Sequence, residues 1–433
     1  MDILQLVVIG ALGAMATMLT NKGIAVFNDG LRPILPEYFD DHAISRQELA
    51  ATSFAVSFGL VIGFGIPVSI GASILLIHSV LLMTDIIGTW TPNTKLGLVL
   101  AGVLGAAWGI GLTLGLQFIV DIFAMLPVNF LDALGAVGNP IVVAFSLFPG
   151  IAVAYQHGFG KGALTAGVSA FVLILVRQFG TFTLPGGQAV TISAEGMTLL
   201  TGMIFMLVFA IRVKGESTDN QNLVNIFAER VKKIRKNMIL LSLTGGLVAA
   251  ATSLTLIAGD PISLSLIDGG QFGEAALAAF ARGIGFIPLV FSTAIVTGVY
   301  SPAGATFVFV VGILLQGNPI FAFILGALVM LIEISLLSGA AKGLDRFPGV
   351  REMGEHIRSA MNRVLEVALL IGGALASEQI APGIGFFWVI GVYLLNRTAK
   401  KPLVDMAVGP VAAIVLGIIV NILFLLNLWA PAA

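Results

Sequence analysis

Two carboxylates stand inside otherwise apolar runs: Glu333 in ALVMLIEISLL and Glu366 in NRVLEVALL. An ionisable side chain inside a bilayer-length segment is costly to hold, and its default reading is functional: proton carriage, cation binding or substrate contact. Glu333 is the deeper of the two and the better proton or cation site. Glu366 lies one turn past Asn362 and Arg363, so an internal pair or snorkelling to the interface reads equally well. Asp85 closes LLMTDIIG, either as an ion or substrate ligand or as a helix cap beside solvent. Two arginines are candidate anion contacts, because a guanidinium can grip a carboxylate or phosphate with two hydrogen bonds. Arg32 lies in AVFNDGLRPILPE, where pairing with Asp29 is the alternative. Arg282 opens the span of AAFARGIGFIPL, where snorkelling from a helix end is the plainer reading.

Two stretches would expose backbone for such chemistry. GFGIPVSIGAS runs from Gly63 to Ser73, and TGVYSPAGAT from Thr297 to Thr306. Each combines glycines, a proline and small hydroxyl residues ahead of a short apolar run. Proline removes a donor and glycine permits a turn, so both stretches read as helix breaks. Paired breaks at matching places in two halves point to a transporter site, since broken helices offer unpaired amides and a positive dipole end. The candidate substrate contacts are Gly65, Pro67, Ser69, Gly71, Ser73, Tyr300, Ser301, Pro302, Gly304 and Thr306, with Asp85 and Arg32. Glu333, Asp85 and Glu366 are the candidate ion carriers. Ordinary tight turns between full spans remain the alternative to re-entrant hairpins at 50–87 and 282–317.

The elements that must position these residues follow from composition. The chain is 58% hydrophobic and 10% charged, with mean hydropathy +1.03, against about 25% charged in soluble domains. The apolar runs are continuous rather than alternating, so an all-α polytopic membrane protein is expected, with about 12–14 transmembrane or re-entrant segments. Seven apolar segments precede a basic linker and seven follow it, which divides the chain into a first transmembrane repeat (1–213), the linker (214–236) and a second repeat (237–433). Seven of the 22 basic residues fall between Arg212 and Lys236, and positive loops stay cytoplasmic. If every segment crosses, both termini face outward, and 20 of the 22 basic residues then lie on or beside cytoplasmic connections. An odd number of segments per half sets the second half upside down relative to the first, as in inverted-topology transporters. The N-terminal MDILQLVVIGALGAMATMLT reads as an uncleaved first span.

Absences narrow the chemistry. There is no cysteine, no HExxH, no GxSxG and no P-loop, and the four histidines (His42, His78, His157, His356) are scattered. The missing cysteines exclude thiol chemistry and thiolate metal sites, and the missing P-loop argues against an ATP-driven pump. No metal or organic cofactor is expected, with a proton or sodium ion as the coupling candidate. A net charge of −1 argues neither for nor against a charged partner, and nucleic acid is not an expected one.

Taken together, AVFNDGLRPILPE, TDIIG at 84–88, MLPVNFLDALG at 125–135, FSLFP at 145–149, FARGIGFIPL at 280–289, TGVYSPAG at 297–304, and FPGVRE with AMNRVLEVALLIG at 347–372 resemble the YhfT-like family of bacterial inner-membrane proteins. The resemblance covers essentially the whole chain. It implies a multispan inner-membrane protein of transport function. Members are often encoded beside enzymes of amino-acid and pyridoxal-phosphate type, which implies a small amino-acid-like or carboxylate solute. The family supplies no catalytic residues to carry over. The expectation is therefore a secondary transporter for a small anionic or zwitterionic metabolite, homodimeric and of elevator type, and not an enzyme. The competing expectation is an integral-membrane enzyme or a non-transporting scaffold subunit.

Overall fold

The computed structural model describes residues 2–28, 30–32, 34–39, 44–183, 189–213, 221–400, 402–403 and 405–430. It is all-α in architecture, as the continuous apolar runs require, because a helix satisfies its own backbone in lipid. The first half opens with α1 (Ile3–Asn21), the short α2 (Ile34–Phe39) and α3 (Arg46–Leu60). A π-helical turn (Val61–Gly65) leads into α4 (Ile66–Ala72), a two-residue strand β1 (Leu75–Leu76) and α5 (Ile77–Trp90). Then come α6 (Lys95–Met125), α7 (Leu131–Gly135), α8 (Gly138–His157) and α9 (Phe159–Phe179). A hairpin of β2 (Thr181–Thr183) and β3 (Ala189–Thr191) precedes α10 (Ala194–Ile211), and α11 (Gln221–Lys236) occupies the linker.

The second half runs α12 (Met238–Ser253), β4 (Ile257–Ala258), α13 (Pro261–Asp268), α14 (Phe272–Thr297) and α15 (Phe307–Leu314). It closes with α16 (Pro319–Arg346), α17 (Pro348–Ile380), α18 (Gly385–Thr398) and α19 (Asp405–Leu425). Among the described residues, nine helices are long and apolar enough to cross a membrane: α1, α6, α8, α9, α10, α14, α16, α17 and α19. Helices α5 and α12 are shorter and equally apolar.

Local sequence explains the helix starts. Ser45 caps α3 and receives the Glu48 amide while the Glu48 carboxylate accepts the Ser45 amide (2.7 Å). That backbone hydrogen bond holds the Glu48 carboxyl below its ordinary range. Thr94, Ser193 and Asp260 cap α6, α10 and α13 in the same way.

Packing concentrates in two sets of helices joined by α14, which meets α10 and α17 as well as α15. Helix α1 packs on α5 and α6, and α12 packs on α15 and α16. Helices α8, α9 and α10 pack together, as do α17, α18 and α19, and α8 meets α17. Small residues bring the α1–α6 backbones close: a Cβ on Gly13 would collide with the Gly105 carbonyl, and one on Gly105 with the Gly13 carbonyl. Gly102 and Gly109 of the same run also face α1, whereas Gly111 and Gly115 border a cavity of about 280 Å³ reaching Ser69 and Trp108.

Two expectations change here. Within the first break, 63–73, the chain stays helical past Pro67, through the π-helical turn (Val61–Gly65) and on through α4 to Ala72. The chain turns at Ser73, which is left-handed (φ 54°). Second, α14 begins at Phe272 and not near Arg282, so Arg282 is a mid-helix residue, 3% exposed, rather than a snorkelling terminus.

Candidate functional site

The two breaks do not pair with each other. Each pairs with the segment that follows the first helix of the opposite half. After α1, Val26 donates its amide to the Tyr300 carbonyl (3.0 Å), and the Tyr300 amide donates to the Ile24 carbonyl (3.1 Å). After α12, β4 pairs in parallel with β1, Ile257 opposite Leu75 and Ala258 opposite Leu76. Crossed segments of this kind satisfy backbone that would otherwise be orphaned inside lipid.

Asp85, on α5, sits beneath the first crossing and is 1% exposed. Its carboxylate accepts the Phe27 amide (3.0 and 3.1 Å), the Asn28 amide (2.8 Å) and the Thr20 hydroxyl (3.2 Å). Both oxygens are thereby occupied. Asn28 reaches on to the Ser57 hydroxyl (3.0 Å).

Glu333, on α16, sits against the second break and is 5% exposed. Its Oε2 accepts the Tyr300 hydroxyl (3.2 Å) and the Ala305 amide (2.9 Å). Its Oε1 is buried without a partner. Gly304 turns over this carboxylate at φ 61°, where a Cβ would strike Oε2. Thr306, the residue that starts α15, holds a left-handed φ of 82° and keeps its Oγ1 buried without a partner. A non-glycine residue there costs about 1–3 kcal/mol, a strain that clusters at functional sites.

Ser69 organises the other break. Its hydroxyl donates to the Gly65 carbonyl (2.5 Å), receives the Leu76 amide (2.8 Å) and lies 3.3 Å from the Ser79 hydroxyl. Gly65 is pressed against Ser79. Gly71 and Ser73 are exposed and take no part in this cluster, and the Pro67 side chain lies outside the described residues.

The arginines bracket the crossings. Arg282 donates to the Gly259 carbonyl (2.5 Å), lies 3.8 Å from the Asp260 carboxylate and covers the Phe286 ring at 4.8 Å. Asp260 also accepts the Ser263 amide (2.8 Å) and hydroxyl (2.7 Å). Arg32 is 1% exposed and reaches the Val290 carbonyl of α14 (3.4 Å). Asp29, its alternative partner, lies outside the described residues.

Of the remaining candidates, Ser301 and Pro302 are buried in the turn whose Gly304 amide returns to the Ser301 carbonyl (3.0 Å). Glu366 pairs with Arg363 on its own helix (3.0 Å), the internal pair that its spacing allowed. Arg177 and Arg397 are exposed and paired with Glu195 and Asp405. One residue escaped the sequence reading. His78 is buried between Phe27 and Phe64, each ring centroid 5.1 Å away, with Nδ1 lacking a partner. A signal existed: His78 and Asp85 are seven residues apart and share a face of α5.

Comparison with known proteins gives one consistent result. The family model for YhfT, described as a protein of unknown function, matches residues 5–429. The uncharacterized protein YhfT of Escherichia coli (strain K12) is 34% identical over 445 residues, covering 99% of both chains. No solved structure matches.

Proposed function

The chain belongs to the YhfT family, and from that premise we propose that it is an ion-coupled secondary active transporter of a small anionic or zwitterionic metabolite. The observation that carries this reading is Glu333, whose Oε1 is buried without a partner on the backbone of a broken helix. Among the described residues, the buried acids are Asp85, Asp260 and Glu333, and the buried guanidiniums are Arg32 and Arg282. Three negative charges against two positive leave one unit uncompensated. An unpaired buried carboxylate costs several kcal/mol, so in this reading a proton or cation accompanies Glu333. Asp85 is saturated by donors and serves as the fixed partner of the first crossing. The N-terminal end of α15, with the unpartnered Thr306 hydroxyl, is the contact offered to an anionic group of the solute.

The exchanged pattern of the crossings supports two inverted repeats, 1–213 and 237–433. Residues 24–26 of the first half meet Tyr300 of the second, while 75–76 of the first meet 257–258 of the second. A two-fold axis in the membrane plane would swap one crossing for the other. An elevator-type step, in which one set of helices moves against the other, completes the proposal. The bacterial inner membrane, with the linker cytoplasmic, is the proposed location.

The test is a thermal-unfolding screen of the purified chain against small carboxylates and amino acids, with and without sodium and across pH. A solute that stabilises the wild type in an ion-dependent manner, but stabilises Glu333→Gln without ion dependence, supports the reading. If no such solute stabilises the protein, the transporter assignment fails.

A further inference from the structure

The linker helix α11 (Gln221–Lys236) presents an apolar face and a basic one. Phe227, Val231 and Ile234 on its apolar face are buried against the protein, where α11 packs on α14 and α16. The opposite side opens into a cleft of about 840 Å³ lined by Lys232, Lys233, Arg235 and Lys236, with Glu229 the one acidic lining residue and Ser338 of α16 at its edge. Arg235 lies 3.4 Å from the Ser338 hydroxyl.

The position of this cleft in the membrane follows from the chain. Apolar α12 begins at Met238, two residues past Lys236, so the four cations lie where the polypeptide enters hydrocarbon, at headgroup depth. Basic clusters on an amphipathic helix at this depth attract anionic lipid, at about 1 kcal/mol per cation near the surface. The helix also touches the candidate site. Gly298 ends α14 at φ 70°, and a Cβ there would lie 2.9 Å from Arg230 Cδ. Helix α11 thus rests on Gly298, the second residue of the second break.

We propose that the cleft between α11 and α16 binds the headgroup of an anionic phospholipid, which clamps α11 onto the entrance of the second break. The phosphate is held by Lys232, Lys233, Arg235 and Lys236, and the acyl chains follow the apolar flank of α12.

The experiment uses the full chain in lipid discs of phosphatidylcholine alone, or with about one-third phosphatidylglycerol, as anionic a surface as this attraction requires. The expected result is a higher unfolding temperature with phosphatidylglycerol, and slower amide exchange across 227–236 and 298–306. The variant K232Q/K233Q/R235Q/K236Q should lose that increment, while the control K95Q/K400Q keeps it. Each single neutralisation should weaken lipid binding by about fivefold, the equivalent of ~1 kcal/mol per cation. The proposal is overturned if the quadruple variant keeps the increment, if the control loses it equally, or if inorganic phosphate in phosphatidylcholine discs reproduces it. Should the quadruple variant fail to fold, unchanged wild-type exchange across 227–236 on adding phosphatidylglycerol also overturns it.

Discussion

Tyr300 and Glu333 meet at 3.2 Å, hydroxyl to Oε2, and the same tyrosine pairs through its backbone with residues 24–26 above Asp85. One residue, by side chain and backbone, therefore links the carboxylate at the second break to the segment that the other carboxylate holds. Its burial is complete, at 0% exposure, so neither hydrogen bond competes with water. Movement of the second break would have to break or carry both.

Tyr300→Phe isolates the hydroxyl from the backbone pairing. The ring still fills its space, and the 24–26 crossing persists. The loss should be about 1–3 kcal/mol, the cost of leaving a buried acceptor short of a donor. Thermal unfolding would measure it, and a variant as stable as the wild type would mean that Glu333 Oε2 does not depend on Tyr300.

Asp85→Asn and Glu333→Gln should behave oppositely. Asp85 accepts from two backbone amides and a hydroxyl, and an asparagine amide would present N–H to N–H. A loss of about 3–5 kcal/mol is expected, as for a broken buried charged partner. In Glu333→Gln the new side chain can keep its carbonyl on Ala305 and Tyr300 and place its amide where Oε1 had no partner. Folding should then change by less than about 1.5 kcal/mol, one ordinary hydrogen bond. The effect of Glu333→Gln should be loss of proton- or sodium-dependent stabilisation. Unfolding midpoints of both variants, with and without sodium, decide this; the reverse order of stability would exchange the two roles.

Sequence periodicity and composition reveal the helices readily, because a span such as α1 carries no charged residue over its whole length. The breaks are legible from Gly, Pro and Ser content, but within the first, 63–73, that content does not tell that the turn falls at Ser73 while Pro67 lies inside helix. Arg282 was misplaced because Glu274 and Arg282 made the first turns of α14 look like a loop. The crossings themselves leave no trace in spacing. Ala25 meets Tyr300, and Leu75 meets Ile257, so these partners are chosen by packing between halves and not by any local period.

The glycines of α6 divide by face. Gly105→Ala puts a methyl into the Gly13 carbonyl and Thr17 hydroxyl, and overpacking of this kind costs about 1–3 kcal/mol. A Cβ at Gly115 meets open space, so Gly115→Ala should be neutral or stabilising by up to about 1 kcal/mol through backbone entropy. Unfolding of the two variants in the same lipid discs tests the pair, and equal losses would remove the α1–α6 contact as the cause.

Arg282 and Asp260 should couple in a double-mutant cycle. Arg282→Met leaves the Asp260 carboxylate, 1% exposed, without its guanidinium, at a cost of about 3–5 kcal/mol. Asp260→Asn keeps an oxygen for the Ser263 amide while removing the charge. The double variant should therefore lose less than the two single losses added together, with a coupling of about 0.5–3 kcal/mol. Additive losses would mean that the guanidinium serves the Gly259 carbonyl alone.

The proposed orientation can be tested by labelling because the chain has no cysteine. Thr181 precedes α10 and Arg235 follows it. Helix α10 has 18 residues, about 27 Å at 1.5 Å per residue, enough for most of a hydrocarbon core. A crossing by α10 places Thr181→Cys and Arg235→Cys on opposite sides. Lys95 is separated from Arg235 by α6, α8, α9 and α10, an even number, so Lys95→Cys should share the side of Arg235. With the linker cytoplasmic, an impermeant maleimide should label position 181 in intact cells, and positions 95 and 235 only in inverted vesicles. Labelling of 181 and 235 from the same face would mean that α10 does not cross, and the odd segment count that sets the second half upside down would fall with it.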